Sequence, residues 1–353
     1  MTAPRYRWQP TSADIAARHG LHVSQVVRFD HNTSPFPTDW APPLVTPAAR
    51  GLNEYPGASY APLRHAAADY AGVEADWIVP GAGIDELILL IARAFLGPQS
   101  RASAATPTYP LYEIAARQVG AEFVGVSHLE PAFGFPLDAL TEAAETSDIT
   151  WLCVPSNPIG HRMTNAEIEA CARAAKGLVV IDAAYAEFSG DQWSSFVAEH
   201  PHVIVLHTLS KAFGLAAIRV GYAIAHPALV DRIDAVRPPG SISTLSAVLA
   251  EEVLSGPQRM QRHVARIIKE RARFASALGS IGVAVVPRSH TNFLLSEFGS
   301  AAHQHAAELA RSGLVVRTFE RGGPLDAFLR FTVRSPEEND RLINAIHGLP
   351  VAG

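Results

Sequence analysis

The sequence predicts an α/β protein: a large domain built around a mostly parallel sheet, joined to a smaller α+β domain. From about residue 76 to 225, short β-branched runs alternate with stretches of helical periodicity, the pattern of βα units. From about residue 243 the texture changes to long helical stretches followed by short apolar runs. A composition of 48% hydrophobic and 18% charged residues over 353 residues suits a chain that buries a sizeable core.

The first 45 or so residues are Pro-rich in SPFPTDWAPPLVTP and predict an arm that packs on something already folded. Residues 46–242 form the expected large domain, with strands from DWIV, AEFVGV, ITWLCV, LVVID, HVIVL and IRVGYAI. Between them, DELILLIARAF (85–95) and NAEIEACARAA (165–175) carry apolar residues at helical spacing and should cover the sheet's faces. Residues 243–353 form the expected smaller domain. It starts on long helices, one of them PQRMQRHVARIIKERARFASAL, and continues with VAVV, NFLL, LVVR and LRFTV, with a helix among them and one after.

The net charge of −5, from 29 basic and 34 acidic residues, offers nothing to attract nucleic acid or an anionic membrane. The basic helix around RHVARIIKERARF is expected to be a solvated face. No apolar run reaches membrane-spanning length, and MTAPRYRWQP lacks the apolar core of a signal peptide. Cys153 and Cys171 are the only cysteines, and the histidines lack Cys or carboxylate partners at ligand spacing. The expectation is a cytoplasmic protein that binds small molecules and no metal.

Several short motifs then fall at strand ends. GAGIDEL (81–87) follows a strand and opens a helix, so it can present backbone N–H groups to a phosphate. Glu86 stands where the dinucleotide fingerprint needs its third glycine. VPSNPIG (154–160) puts Asn157 at the carboxyl edge of the sheet, where open α/β folds bind ligands. VVIDAAYAEF (179–188) buries Asp182 at a strand end with Tyr185 three residues on; a buried carboxylate needs a partner, and a protonated ring nitrogen would be one. HTLSKAFGLAAIRVGY (207–222) places Lys211 after an apolar strand, either as a surface loop residue or as a reactive amine in a cleft.

Read in order, the Gly-rich turn, PTYPLY, the Asn-Pro turn, Asp182 with Tyr185, Ser210-Lys211 and Arg219 resemble the fold-type I pyridoxal phosphate (PLP) enzymes. The resemblance is to class I/II aminotransferases, most closely the histidinol-phosphate aminotransferase group, and it spans about residues 28 to 345. It implies that Lys211 binds PLP covalently and then moves the substrate's proton, and that Asp182 pairs with the pyridine nitrogen. It further implies that Tyr185 and Asn157 bond the ring's phenolic oxygen and that Tyr109 stacks on the ring. Gly83, Ile84, Asp85, Ser210 and Arg219 would hold the phosphate. Tyr55 in NEYPGASY would reach the cofactor of a neighbouring subunit, which implies a homodimer. Arg330 would bind an α-carboxylate, and Arg317 would lie where related enzymes meet a distal anionic group. Ala82, Ile159 and Ala183 stand where the family often has Asn, Thr and Glu. The implied reaction passes an amino group from histidinol phosphate or an aromatic amino acid to 2-oxoglutarate. The N-terminal TSADIAARHGLHVSQVVRFDHNTSPFP is also similar to threonine-phosphate decarboxylases, so decarboxylation of a phosphorylated amino acid is the alternative.

Overall fold

In chain order the strands are β1 (Val27–Arg28), β2 (Ile78–Gly81), β3 (Arg101–Thr106), β4 (Glu122–Ser127), β5 (Ile149–Cys153) and β6 (Leu178–Asp182). They continue with β7 (Val203–Thr208), β8 (Gly221–Ala225), β9 (Ala284–Val285), β10 (Phe293–Glu297), β11 (Leu314–Val315) and β12 (Phe328–Thr332). The structure, a computed structural model, describes residues 9–57, 59–130 and 133–349. The first eight residues of the expected arm and the last four of the expected C-terminal domain lie outside them.

The main sheet has seven strands in the order β2-β8-β7-β6-β5-β3-β4. From β7 through β4 the neighbours are parallel, while β8 runs antiparallel to both β7 and β2. Six strands therefore point one way, and their C-terminal ends share one edge with the start of β8. Alternate residues of the central strands serve two cores. Val180, Ile204 and Leu206 face the helices Ile84–Phe95 and Leu111–Gln118, whereas Val179, Ile181, Val203 and Val205 pack on the opposite side. Burial on both faces explains why LVVID and HVIVL read as unbroken apolar runs.

Two details depart from the sequence reading. β3, RASAAT, is absent from the expected strands because alanine has little intrinsic β preference; here Ala102 and Ala104 lie buried, with Ala104 in register with Trp151. The run IRVGYAI becomes strand only from Gly221, since Arg219 takes φ 54°, a left-handed conformation that ends any extended run.

The C-terminal region holds a three-stranded antiparallel sheet, β12-β10-β9, with the helices Gln258–Ser280, Ala302–Arg311 and Pro336–His347. The segment before residue 45 is more than an extended arm. It contains the helix Ser12–His19, started by a Thr11–Asp14 capping box, and β1 pairs in parallel with β11. Thr332 N–H donates to the Phe29 carbonyl at 2.7 Å, tying this segment to β12. The basic helix is also less solvated than expected. Arg259 and Arg266 lie over the rings of Trp40 and Phe36 at 4.4 and 4.5 Å, and Arg273 pairs with Glu270 and Asp340.

Candidate active site

Parallel βα units bring strand ends together without regard to sequence distance, and the carboxyl edge of the main sheet collects five of the motifs. β2 ends in Gly81, and Gly83 caps the following helix at φ 83°, ψ 171°. A Cβ on Gly83 would stand 2.7 Å from Arg219 Nη2, so glycine is required by both its backbone angle and the guanidinium against it. Ile84 and Asp85 open the helix, where N–H groups without helical partners face the turn. Arg219 donates to Asp85 Oδ2 at 3.0 Å and stands 3.5 Å from Ser210 Oγ. Tyr109, just after β3, donates to Asp85 Oδ1 at 2.8 Å. Ser210, Arg219, Asp85 and Tyr109 are thus one cluster around the Gly83 turn. Glu86 turns back to accept from Ala82 N–H at 2.6 Å and Ser241 Oγ–H at 3.0 Å, which rigidifies that turn.

At the end of β6, Asp182 is 4% exposed. Its Oδ2 accepts from Tyr112 O–H at 2.6 Å and its Oδ1 from Ala184 N–H at 3.1 Å. Burial pushes its carboxyl up to about 6, against those two bonds and the Lys211 charge, which favour the ionised form. Tyr112 is itself buried and stacked on Trp151, with centroids 4.9 Å apart and planes 7° apart, so its hydroxyl has a fixed aim. Nothing in the sequence marks Tyr112 for this contact, although PTYPLY displays it three residues after Tyr109. Only the course of the helix Leu111–Gln118 reveals which tyrosine reaches the aspartate.

Lys211 follows β7 and Ser210 in a half-buried position. Its Nζ donates to the His31 carbonyl at 3.3 Å and lies 6.0 Å from the Tyr185 ring centroid. Burial first, then the charges of Arg330 and Arg219, lower its ammonium to about 8, with Asp85 and Asp182 opposing. The Tyr185 hydroxyl oxygen accepts from Asn32 Nδ2–H at 3.0 Å. Asn32 is a further residue that the sequence did not single out. It sits at φ 52°, and Thr332 Oγ1 lies 3.2 Å from its side-chain oxygen and 2.9 Å from its backbone nitrogen.

Arg330 on β12 enters the same space. It donates to Asn157 Oδ1 at 2.5 Å and to the Asp30 carbonyl at 2.9 Å, and its guanidinium lies 5.0 Å from the Phe293 ring centroid. Arg317 forms a bridge opposite Arg330, the two exchanging N–H to carbonyl bonds at 3.1 and 3.0 Å. Directly opposed residues project to the same face, so the two arginines are neighbours. Asn157 is fixed from below as well, its N–H donating to Cys153 Sγ at 3.4 Å. Tyr55 stands apart: it is 96% exposed, on the outside of the chain.

The family model for aminotransferase class I and II matches residues 25–346. A histidinol-phosphate aminotransferase from Thermoanaerobacter sp. is 36% identical over 301 residues, covering 84% of this chain and 85% of the relative. One from Chromobacterium violaceum is 34% identical over 347 residues and 96% of each chain. Among solved structures, histidinol-phosphate aminotransferase from Sinorhizobium meliloti in complex with pyridoxal-5'-phosphate superposes with TM-score 0.85 at 24% identity, over 97% of this chain and 94% of that one.

Proposed function

The chain belongs to the class I and II aminotransferases, PLP-dependent enzymes that move amino groups, and we propose that its donor is histidinol phosphate and its acceptor 2-oxoglutarate. The residues fit the cofactor. The Gly83 turn, where a Cβ would meet Arg219, is shaped for close approach by a phosphate between helix N–H groups and a guanidinium. Asp182 is a buried carboxylate whose ionised form calls for a cation such as a protonated ring nitrogen. Lys211, lowered to about 8, keeps a usable neutral fraction near pH 7.

On this reading Gly83, Ile84, Asp85, Ser210 and Arg219 hold the phosphate, with Tyr109 beside the ring. Asp182, aimed by Tyr112, holds the ring nitrogen. Tyr185 and Asn157 border the ring's oxygen. PLP, when bound, supplies an electron sink that stabilises negative charge at the donor's Cα. Lys211 Nζ would take up and return the proton of the donor's Cα, a short transfer because the amine is already at the site. Arg330 takes the α-carboxylate by charge-assisted bonds, its orientation preset by Asn157 and the Asp30 carbonyl.

The observation that carries the choice of substrates is the Arg317–Arg330 bridge. Two adjacent arginines suit reactants with two anionic groups, as in glutamate and 2-oxoglutarate, and leave one arginine for the phosphate of histidinol phosphate. An amino-donor panel at fixed 2-oxoglutarate tests this. Histidinol phosphate should lead, with phenylalanine and tyrosine behind it, and glutamate should accumulate. Arg317→Ala should lower kcat/KM for histidinol phosphate by at least tenfold, the equivalent of losing one charge-assisted contact of about 1.5 to 3 kcal/mol, while phenylalanine changes little. Equal effects on both donors would make Arg317 structural. Release of CO₂ from threonine phosphate, without keto-acid formation, would move the assignment to a decarboxylase.

A further inference from the structure

His31 lies on the segment whose Asp30 and His31 carbonyls accept from Arg330 and Lys211, and its main chain and side chain face different tasks. Its carbonyl accepts from Lys211 Nζ at 3.3 Å. Its side chain is 41% exposed, and Nε2 lies 2.5 Å from Arg28 Nη2 and 3.5 Å from Asp30 Oδ2. A guanidinium nitrogen can only donate, so Nε2 must be the accepting nitrogen and the ring proton must reside on Nδ1. Arg28 is held in place for this. Its Nε and Nη2 grip the two oxygens of Asp30, each at 2.8 Å, and Asp30 is itself buried. Arg28 is therefore committed to Asp30 and His31.

From these contacts we infer that His31 is a specificity-determining residue of this enzyme, a neutral imidazole set by Arg28 to offer its Nδ1–H to the distal anionic group of the amino donor beside Arg317. The charged groups facing it are Arg28 and Asp30 on its own segment, Lys211 after β7 and Arg317 before β12. Three of the four are cations. With desolvation as the leading cause, they hold its pKa below the ordinary histidine value, and Asp30 alone opposes them. A neutral donor among cations has a use: it adds a directed hydrogen bond without adding repulsion to an already positive cleft. The sign follows: a bound dianion raises the His31 pKa, so affinity for anionic donors should strengthen as pH falls from the bound toward the free value.

This inference rests on the proposed donor class, so its test reads His31 directly. The PLP-loaded enzyme, with isotope-labelled histidine, is titrated by NMR with and without glutarate, a non-reacting dicarboxylate; loss of one signal in His31→Asn assigns the resonance. The ring should show the Nδ1–H tautomer, titrate below pH 6.5, and move up by at least half a pH unit with saturating glutarate. An Nε2–H tautomer, or a pKa indifferent to glutarate, overturns the inference. In kinetics, His31→Leu should raise KM for histidinol phosphate about tenfold with phenylalanine within twofold. His31→Asn, whose amide can place a donor near Nδ1, should recover most of the loss. Equal damage to both donors, or no recovery by asparagine, also overturns it. If the wild type does not use histidinol phosphate at all, the donor assignment fails separately and the glutarate titration alone decides His31.

Discussion

Lys211 and Asp182 carry opposite perturbations for one physical reason: each is withdrawn from water before its partner arrives. Lysine loses a proton more readily there and aspartic acid holds one longer. Sodium borohydride should fix PLP to Lys211, and peptide mapping should find the label on that residue. Lys211→Ala should keep the fold and lose both the label and turnover; a label elsewhere would contradict the assignment. The Tyr112 hydroxyl favours ionised Asp182, so Tyr112→Phe should raise the aspartate's pKa from about 6 toward neutrality. Cofactor binding, which on the proposed assignment needs the carboxylate, should then fail at higher pH than in the wild type. A cofactor-retention profile against pH, followed by absorbance, checks this, and an unmoved profile would show that Tyr112 only fills space.

At the scale of elements, the turn after β6 delivers Tyr185 to the site and, two residues later, Glu187 to the interior. The Glu187 side chain is only 8% exposed, with Oε1 3.9 Å from His207 Nδ1 on β7, and that ring stacks on Tyr222 of β8 at 5.1 Å. Burial raises the carboxyl to about 7 and lowers the imidazole to about 4. Folding therefore favours the protonated acid, and Glu187's stability contribution is lost as pH rises from the unfolded value, about 4.5, through about 7. His207 works the other way: the unfolded chain binds its proton more tightly, so its contribution grows as pH rises from about 4 to 6.5. Glu187→Gln removes the ionisation at constant shape. The variant should be more stable than the wild type at pH 8.5, by up to roughly 3 kcal/mol, and near parity at pH 4.5. Melting temperatures at the two pH values decide it, and a difference independent of pH would mean that Glu187 ionises freely.

At the scale of the whole molecule, the chain leaves Tyr55 at 96% exposure, with Leu52 at 59% close by in sequence. Large apolar surface of this kind calls for a cover, and the proposed cover is a second copy whose phosphate site Tyr55 completes. Light scattering should give a dimer at assay concentration. Tyr55→Phe should leave that dimer intact and speed PLP loss on dialysis, because a hydroxyl and not an apolar contact is removed. A fully active monomer would overturn the proposal.

Periodicity by itself determined the α/β class and the parallel character of the sheet, and motif order, through the family resemblance it carries, pointed to Lys211, Asp182, Asn157, Tyr185 and Arg219. Asp182, Asn157 and Lys211 are encoded locally, each as an apolar run followed by a polar residue at or just past its end. β3 stayed hidden because alanine carries no strand signal of its own, and its burial is decided by neighbouring strands. Tertiary structure alone decided the partners: Tyr112 for Asp182, Asn32 for Tyr185, and the carbonyls of Asp30 and His31 for Arg330 and Lys211. The last three pairs span 153, 300 and 180 residues. Hydrogen bonds of such reach depend on where β1 and β12 set the segment 28–32 across the sheet edge, which no local pattern of residues records.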